Sequence, residues 1–267
     1  MFRLLTGLLF GSLISFAAYK KKYLSLSGFA AAVVFGTVLY FAGNIFFWII
    51  LISFFLSSSL LTGYREDDKS PLEEMNEKGG ERDHMQVIAN GGLGLLFALL
   101  YYLTKTPVFI FAYAASFASA NADTWASEIG VLSKGEPISI LTLKRTQRGN
   151  SGAVSILGIT ASISGAVFIG FFFFTGYVLS FGWENELLTH TIVITAAGFL
   201  GSIIDSFLGA LLQSKYRCVV CGKVTEKKVH HEKDTEHISG MRFINNDRVN
   251  LLSCLSASVI TILVLWK

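Results

Sequence analysis

Residues 116–130, SFASANADTWASEIG, close a run of apolar residues that starts at Pro107. The run is long enough to lie inside a membrane, yet it carries Asn121, Asp123 and Glu128, groups that hydrocarbon rejects. The rest of the chain shows that a membrane is indeed its solvent. Of 267 residues, 52% are hydrophobic and 15% charged, against roughly 25% charged in a soluble domain. The apolar residues fall in long blocks rather than amphipathic stripes, as in lipid-facing helices. The net charge of +3 is too small to imply nucleic acid as a partner.

Block length predicts an all-α polytopic bundle of about eight spanning helices, since about 20 apolar residues cross the hydrocarbon core. The expected spans are 4–19, 24–42, 44–61, 86–103, 107–130, 151–180, 188–213 and 249–266, within one integral membrane domain covering 1–267. The second and third spans are separated only by Gly43 and Asn44, read as a tight hairpin. Lys20, Lys21 and Lys22 directly after Ala17 and Ala18 mark the first span as a retained anchor.

Basic residues accumulate on the cytoplasmic side. With the N-terminus outside, 19 of the 22 Lys and Arg residues fall in or beside inner loops, leaving only Arg3, Lys105 and Lys267 outside. The cytoplasmic loops are then 62–85, 131–150 and 214–248. Every polar motif lies on that side, whereas the outer connections FAGN, LTKTP and FGWENELLTH carry nothing resembling a site.

On a helix descending toward the cytoplasm, Asn121, Asp123, Thr124, Ser127 and Glu128 share an arc of roughly 160° at about 100° per residue. Such groups face a wet cavity or a partner, because each costs ~2.5–3.5 kcal/mol in a lipid-exposed span. The plainer alternative is an acid paired with Arg or simply solvated. A second carboxylate, Asp205, lies at the same depth in GSIIDSFLGALLQ, residues 201–213. Gly198, Gly201, Ser202 and Gly209 recur around it at three- and four-residue spacing. That stripe allows close helix packing, which accounts for the glycines but not for the acid. Two such carboxylates can hold one divalent cation between them.

Three inner loops lead into their ascending helices through an Arg followed by Asn: ERDHMQVIANGG, KRTQRGNSGAVS and MRFINNDRVN. The chain reads as three helical hairpins with their tips together. The middle tip is the best phosphate-binding candidate. Lys144, Arg145 and Arg148 precede Gly149, Asn150, Ser151 and Gly152, read as a Gly-rich turn opening a helix toward an anion. The charges are also what the positive-inside rule requires, but charge alone would not need GNSG. No Walker or dinucleotide fingerprint is present in a suitable place.

The last inner loop holds Cys218 and Cys221 in CxxC spacing, followed by His230 and His231, a candidate tetrahedral zinc set. Cys254 lies in a helix and is read as inert. The acidic run at 65–83 is read as solvated loop, with Arg82, Gln86 and Asn90 its part of interest.

NADTWASEIG, the GNSG turn, GSIIDSFLGALLQ, CxxCGK with TE and HH, and NNDRVN together resemble the domain-of-unknown-function family ninety-two. That is the integral membrane family of the plant phytyl-phosphate kinase. The resemblance runs from about Arg82 to Asn250; His231 stands where the family often has Cys. It implies an enzyme that uses a nucleoside triphosphate, CTP or ATP, to convert an isoprenoid monophosphate in the membrane to its diphosphate. Phosphoryl transfer needs cations and a bridging metal more than covalent help. Asp123 and Asp205 would then hold Mg²⁺, with Glu128 or Asp247 as second ligand or base. Arg82, Lys144, Arg145 and Arg148 would hold phosphates that Asn121, Asn150, Asn246 and Asn250 orient. Other readings are a CTP-dependent lipid cytidylyltransferase, a polyprenol kinase and a transporter, although the featureless outer halves speak against transport. Absence of a transit peptide suggests a prokaryotic cell membrane.

Overall fold

The computed structural model describes the chain except for residues 66–68, 70–74, 76 and 267, so much of the 65–83 run and Lys267, expected outside, lie beyond the described residues. Seven helices occur among the described residues. They are α1 (Phe2–Lys20), α2 (Leu26–Gly63), α3 (His84–Thr104), α4 (Val108–Gly130), α5 (Ile156–Phe181), α6 (Leu187–Leu211) and α7 (Asn246–Leu265). The protein is a polytopic helical membrane protein. Seven stretches are long and apolar enough to cross a bilayer, two of them, Leu26–Gly43 and Ile45–Gly63, from α2. The eighth expected span is α4, 23 residues long and not among those seven. Its neighbours explain the difference: α2, α3, α5, α6 and α7 all pack on it, and Val108 to Ala122 is almost wholly buried. A helix clad in protein needs no lipid-facing side.

The hairpin expected at Gly43 and Asn44 is a bend inside continuous helical backbone. A straight 38-residue α2 would be about 57 Å long, yet its two ends meet at one residue. The Arg82 N–H donates to the Tyr23 carbonyl (3.1 Å) and its carbonyl accepts from Ser25 N–H (3.1 Å), while its guanidinium reaches Ser59 (3.4 Å). Near the bend, Trp48 Nε1 donates to the Gly36 carbonyl at 3.0 Å, a pair about 18 Å apart in a straight rod. The Phe47 ring lies over Gly43, where a Cβ would come within 1.6 Å of it.

Local signals set the helix ends. Ser25, Asp83, Ser155 and Asn245 cap α2, α3, α5 and α7 by accepting from backbone N–H groups; Asp83 and Gln86 form a reciprocal capping box. One expected start is corrected. Gly149 to Gly152 do not open a helix, because Gly149 and Gly152 both adopt φ +80, outside the right-handed helical region. The helix begins at Ile156, and GNSG is instead a turn ahead of a short strand.

Loops 131–155 and 212–245 carry short β pairs, which hydropathy alone does not reveal. Strand β1 (Ile138–Ser139) pairs antiparallel with β2 (Ala153–Val154). In the last loop, β3 (Lys215–Arg217) lies between β4 (Val224–Thr225) and β7 (Glu236–Ser239), and β5 (Val229–His230) pairs with β6 (Lys233–Asp234). The loops meet at one end of the bundle. The Met75 carbonyl accepts from Thr225 Oγ1 (2.7 Å) and Glu226 N–H (2.9 Å). At the opposite end Phe46, Phe173, Tyr177 and Phe181 form an aromatic cluster.

Candidate active site at the polar end of the bundle

The small-residue stripe on α6 seats that helix directly on α4. A Cβ at Gly198 would lie 2.5 Å from that of Ala118, and one at Gly201 would lie 2.2 Å from Ser119 Oγ. Asp123 and Asp205 each follow the Ser119–Gly201 contact by four residues, about 6 Å of rise on either helix. The two helices run the same way, so the carboxylates reach the same depth and open into one cavity of about 350 Å³. Asp205 is buried and its Oδ2 has no hydrogen-bond partner among the described residues. Asn250 Oδ1, on the same cavity, is likewise without one. Two carboxylates and a spare amide oxygen make an all-oxygen donor set, the kind that suits Mg²⁺; the residues present fit that ion.

Four of the five polar residues expected on one face of α4, Asp123, Thr124, Ser127 and Glu128, line this cavity. Asn121 does not. It lies deeper, fully buried, accepting from Ser57 Oγ (2.9 Å) and donating to the Gly165 carbonyl (2.8 Å). Its amide ties α4 to α2 and α5. Glu128 is at the cavity wall, but its oxygens accept from Thr62 Oγ1 (2.6 Å) and the Lys69 ammonium (2.6 Å). Lys69 is only 2% exposed and also donates to the Leu61 and Thr62 carbonyls, closing the end of α2. Lys69 belongs to the run read as solvated; its carboxylate partner is 59 residues away in sequence, and no local pattern announces it.

Cations ring the cavity. Arg82 is anchored by its backbone, and burial draws its pKa down, partly offset by Glu128. Lys78 bridges Asp83 (2.9 Å) and Asp247. Burial pulls the Lys78 ammonium down, but hydrogen bonds to Asp247 and then Asp83 outweigh it and its pKa is raised. Asp247 is thus engaged. Asn246, Asn250, Gln86 and Asn90 line the same space, and Asn250 Nδ2 donates to Asn90 Oδ1 at 3.5 Å.

The 149–152 turn forms another wall. It rests on α6 so closely that a Cβ at Gly152 would lie 2.4 Å from that of Ala210. Ser151 Oγ donates to Glu226 at 3.1 Å. Burial pushes the Glu226 carboxyl up, partly offset by hydrogen bonds from Glu77 and Ser151. Arg148 to Ser151 and Glu226 also line a neighbouring cavity of about 750 Å³, with Arg145, Lys215 and Lys223. Arg148 donates to the Lys134 carbonyl at 2.7 Å. Arg145 pairs with Glu136 at 3.3 Å, and exposed Lys144 lines neither space. On the far side, Arg82, Gln86 and Asn90 also border a narrow apolar slot of about 60 Å³ between α1, α2 and α3. Glu226, Gln213 and Lys78 line the polar cavity and were not foreseen as site residues; the TE dipeptide of the last loop touches the first and the end of GSIIDSFLGALLQ the second.

Spanning helices clasped round a buried polar chamber at one membrane face define an integral membrane protein with a site at its loop end. The integral membrane protein family DUF92 matches residues 9–258, and the chain belongs to that family. It is 32% identical to Protein PGR of Arabidopsis thaliana over 97% of this chain and 95% of the relative. It is 28% identical to an uncharacterized membrane protein of Methanocaldococcus jannaschii, over 99% and 95% of the two chains. Protein VTE6, chloroplastic, of Arabidopsis thaliana is 24% identical over 90% of this chain and 65% of its own. The relatives include plant, archaeal and cyanobacterial proteins, so the family is not confined to prokaryotic membranes. No solved structure matches the chain.

Proposed function

We propose that the protein transfers the terminal phosphoryl group of a nucleoside triphosphate to an isoprenoid monophosphate held in the membrane, at the cytoplasmic face. One observation carries this reading. The polar chamber shares Arg82, Gln86 and Asn90 with an apolar slot on one side, and Arg148 to Ser151 with an open polar cavity on the other. A phosphate between those walls meets an apolar surface for the first carbons of a tail in one direction and an open cavity for a nucleoside in the other. The resemblance to the family of the plant phytyl-phosphate kinase supports the same substrate class.

Asp123 and Asp205 would hold Mg²⁺, which when bound neutralises charge on the phosphate oxygens. Arg82 borders the slot and holds the lipid phosphate; Arg148 and the 149–152 turn hold the nucleotide. The bond from the terminal phosphorus to its bridging oxygen breaks, a bond to a lipid phosphate oxygen forms, and nucleoside diphosphate leaves. An alkyl monophosphate is largely dianionic at neutral pH, its second pKa lying near ~6. It needs no general base, consistent with Glu128 and Asp247 both being occupied by lysines.

The test incubates purified protein with Mg²⁺, each nucleoside triphosphate in turn, and phytyl or geranylgeranyl phosphate. Isoprenoid diphosphate with nucleoside diphosphate is expected. Pyrophosphate release would replace this reading with a cytidylyltransferase, and no turnover by folded protein would overturn both.

A further inference from the structure

Cys218, Cys221, His230 and His231 each offer one ligand atom, and these four atoms lie within 4.8 Å of one another. Tetrahedral zinc at about 2.3 Å from sulfur and 2.0–2.1 Å from nitrogen holds its ligands roughly 3.3–3.8 Å apart, so a closure of about 1 Å completes the set. Adjacent residues on a strand point to opposite faces, so two consecutive histidines would not normally converge. Here the β5–β6 turn breaks the alternation. His231 and Glu232 take φ +55 and +59, bringing the His231 ring to within 4.1 Å of the His230 ring. On the other side, the chain from β3 turns through Gly222, at φ +71, and the N–H groups of Val220 and Cys221 point at Cys218 Sγ (3.4 and 3.5 Å). Donors aimed at a sulfur are suited to a thiolate.

We infer that these four residues form a structural zinc site that staples the 212–245 strap over the polar chamber. The closed ligand set of two sulfurs and two nitrogens leaves no position for substrate. Its effect is transmitted by the β3–β4 pair. Tyr216 and Arg217 pair with Thr225 and Val224, so the knuckle between them fixes where the chain delivers Thr225 and Glu226. Those two residues hold Met75 and Ser151, which border the second cavity. The inference does not depend on the reaction proposed above.

Full-length protein in detergent, purified with reductant and without chelator, is expected to carry one zinc per chain by elemental analysis. Cys221→Ser and His230→Ala should each lower this at least tenfold, while Cys254→Ser, buried in α7, leaves it unchanged. Cobalt exchange should give a thiolate charge-transfer band and tetrahedral ligand-field bands, both lost in Cys218→Ser. Chelation of the wild type should raise the rate of proteolysis within 212–245 severalfold and spare the bundle. A fully reduced chain that carries no zinc and binds no cobalt would overturn the site. Zinc bound without any change in proteolysis on its removal would overturn the staple.

Discussion

Lys69 and Glu128 form a buried ion pair, 2.6 Å from nitrogen to oxygen, that joins the end of α2 to the end of α4 beside the chamber. Removing one partner of such a pair strands the other in a poorly solvated place, at a cost of about 3–5 kcal/mol. Lys69→Met is therefore expected to lower the melting temperature of the detergent-solubilised protein sharply, and Glu128→Leu added to it should recover part of the loss. A Glu128→Gln protein that keeps wild-type stability but loses all turnover would instead make Glu128 a catalytic group.

Asp123 and Asp205 place two carboxylates in one chamber, where their like charges repel unless a cation lies between them. Asp123→Asn and Asp205→Asn should each abolish phosphoryl transfer. Without divalent cation, both variants should melt no lower than the wild type, and both should lose the stabilisation that Mg²⁺ confers. Scanning calorimetry with and without Mg²⁺ checks this, and retained activity in both variants would remove them from the site.

The Ser119–Gly201 contact sets the distance between those acids. Gly201→Ala puts a methyl 2.2 Å from Ser119 Oγ unless α6 moves. Overpacking of this kind costs about 1–3 kcal/mol. The expected result is lower activity as well as lower stability, with Ser119→Ala on the same chain restoring some of each.

Lys78 gives a pH dependence with two limbs. Burial raises the Asp83 pKa, but the hydrogen bond from Lys78 and the backbone N–H of Gln86 lower it further, below 3.8 overall. Its stabilising contribution is present above that pH and fades as pH falls through the folded value. The Lys78 pKa is raised above 10.5, so its contribution is complete below that pH and fades as pH climbs through the folded value. Melting temperature against pH should be insensitive to this clamp between those limits. Lys78→Met should lower the plateau and flatten both limbs, whereas an unchanged acid limb would show that Asp83 draws nothing from Lys78.

The slot beside Arg82 is walled by Gly91, where a Cβ would come 3.0 Å from the Phe35 ring. Gly91→Leu should raise KM for geranylgeranyl phosphate at least tenfold and leave a short-chain phosphate little affected. Equal loss for both would place the tail elsewhere.

The spans and the acids within them were legible because lipid penalises charge, so Asp123 and Asp205 stand out against their runs. Depth along a helix was less legible: Asn121 shares the angular face of Asp123 but sits below the chamber floor, where helix packing claims it. The 149–152 turn was read as opening a helix, and its conformation was misread because positive φ at two glycines cannot be inferred from composition. Lys69, Lys78 and Glu226 were invisible for another reason. Their partners Glu128, Asp247 and Ser151 are 59, 169 and 75 residues away in the chain, and those pairings exist only once the hairpin tips have met.

The helix that carries Asp123 is also not among the stretches long and apolar enough to cross a bilayer unaided. During synthesis it must be retained by contact with its neighbours rather than by partition into lipid. Maturation and catalytic competence are thereby linked: a chain whose α5 to α7 fail to gather round α4 would lose the topology of the site helix, and quality control would meet it as a misinserted protein before any defect in turnover could be measured.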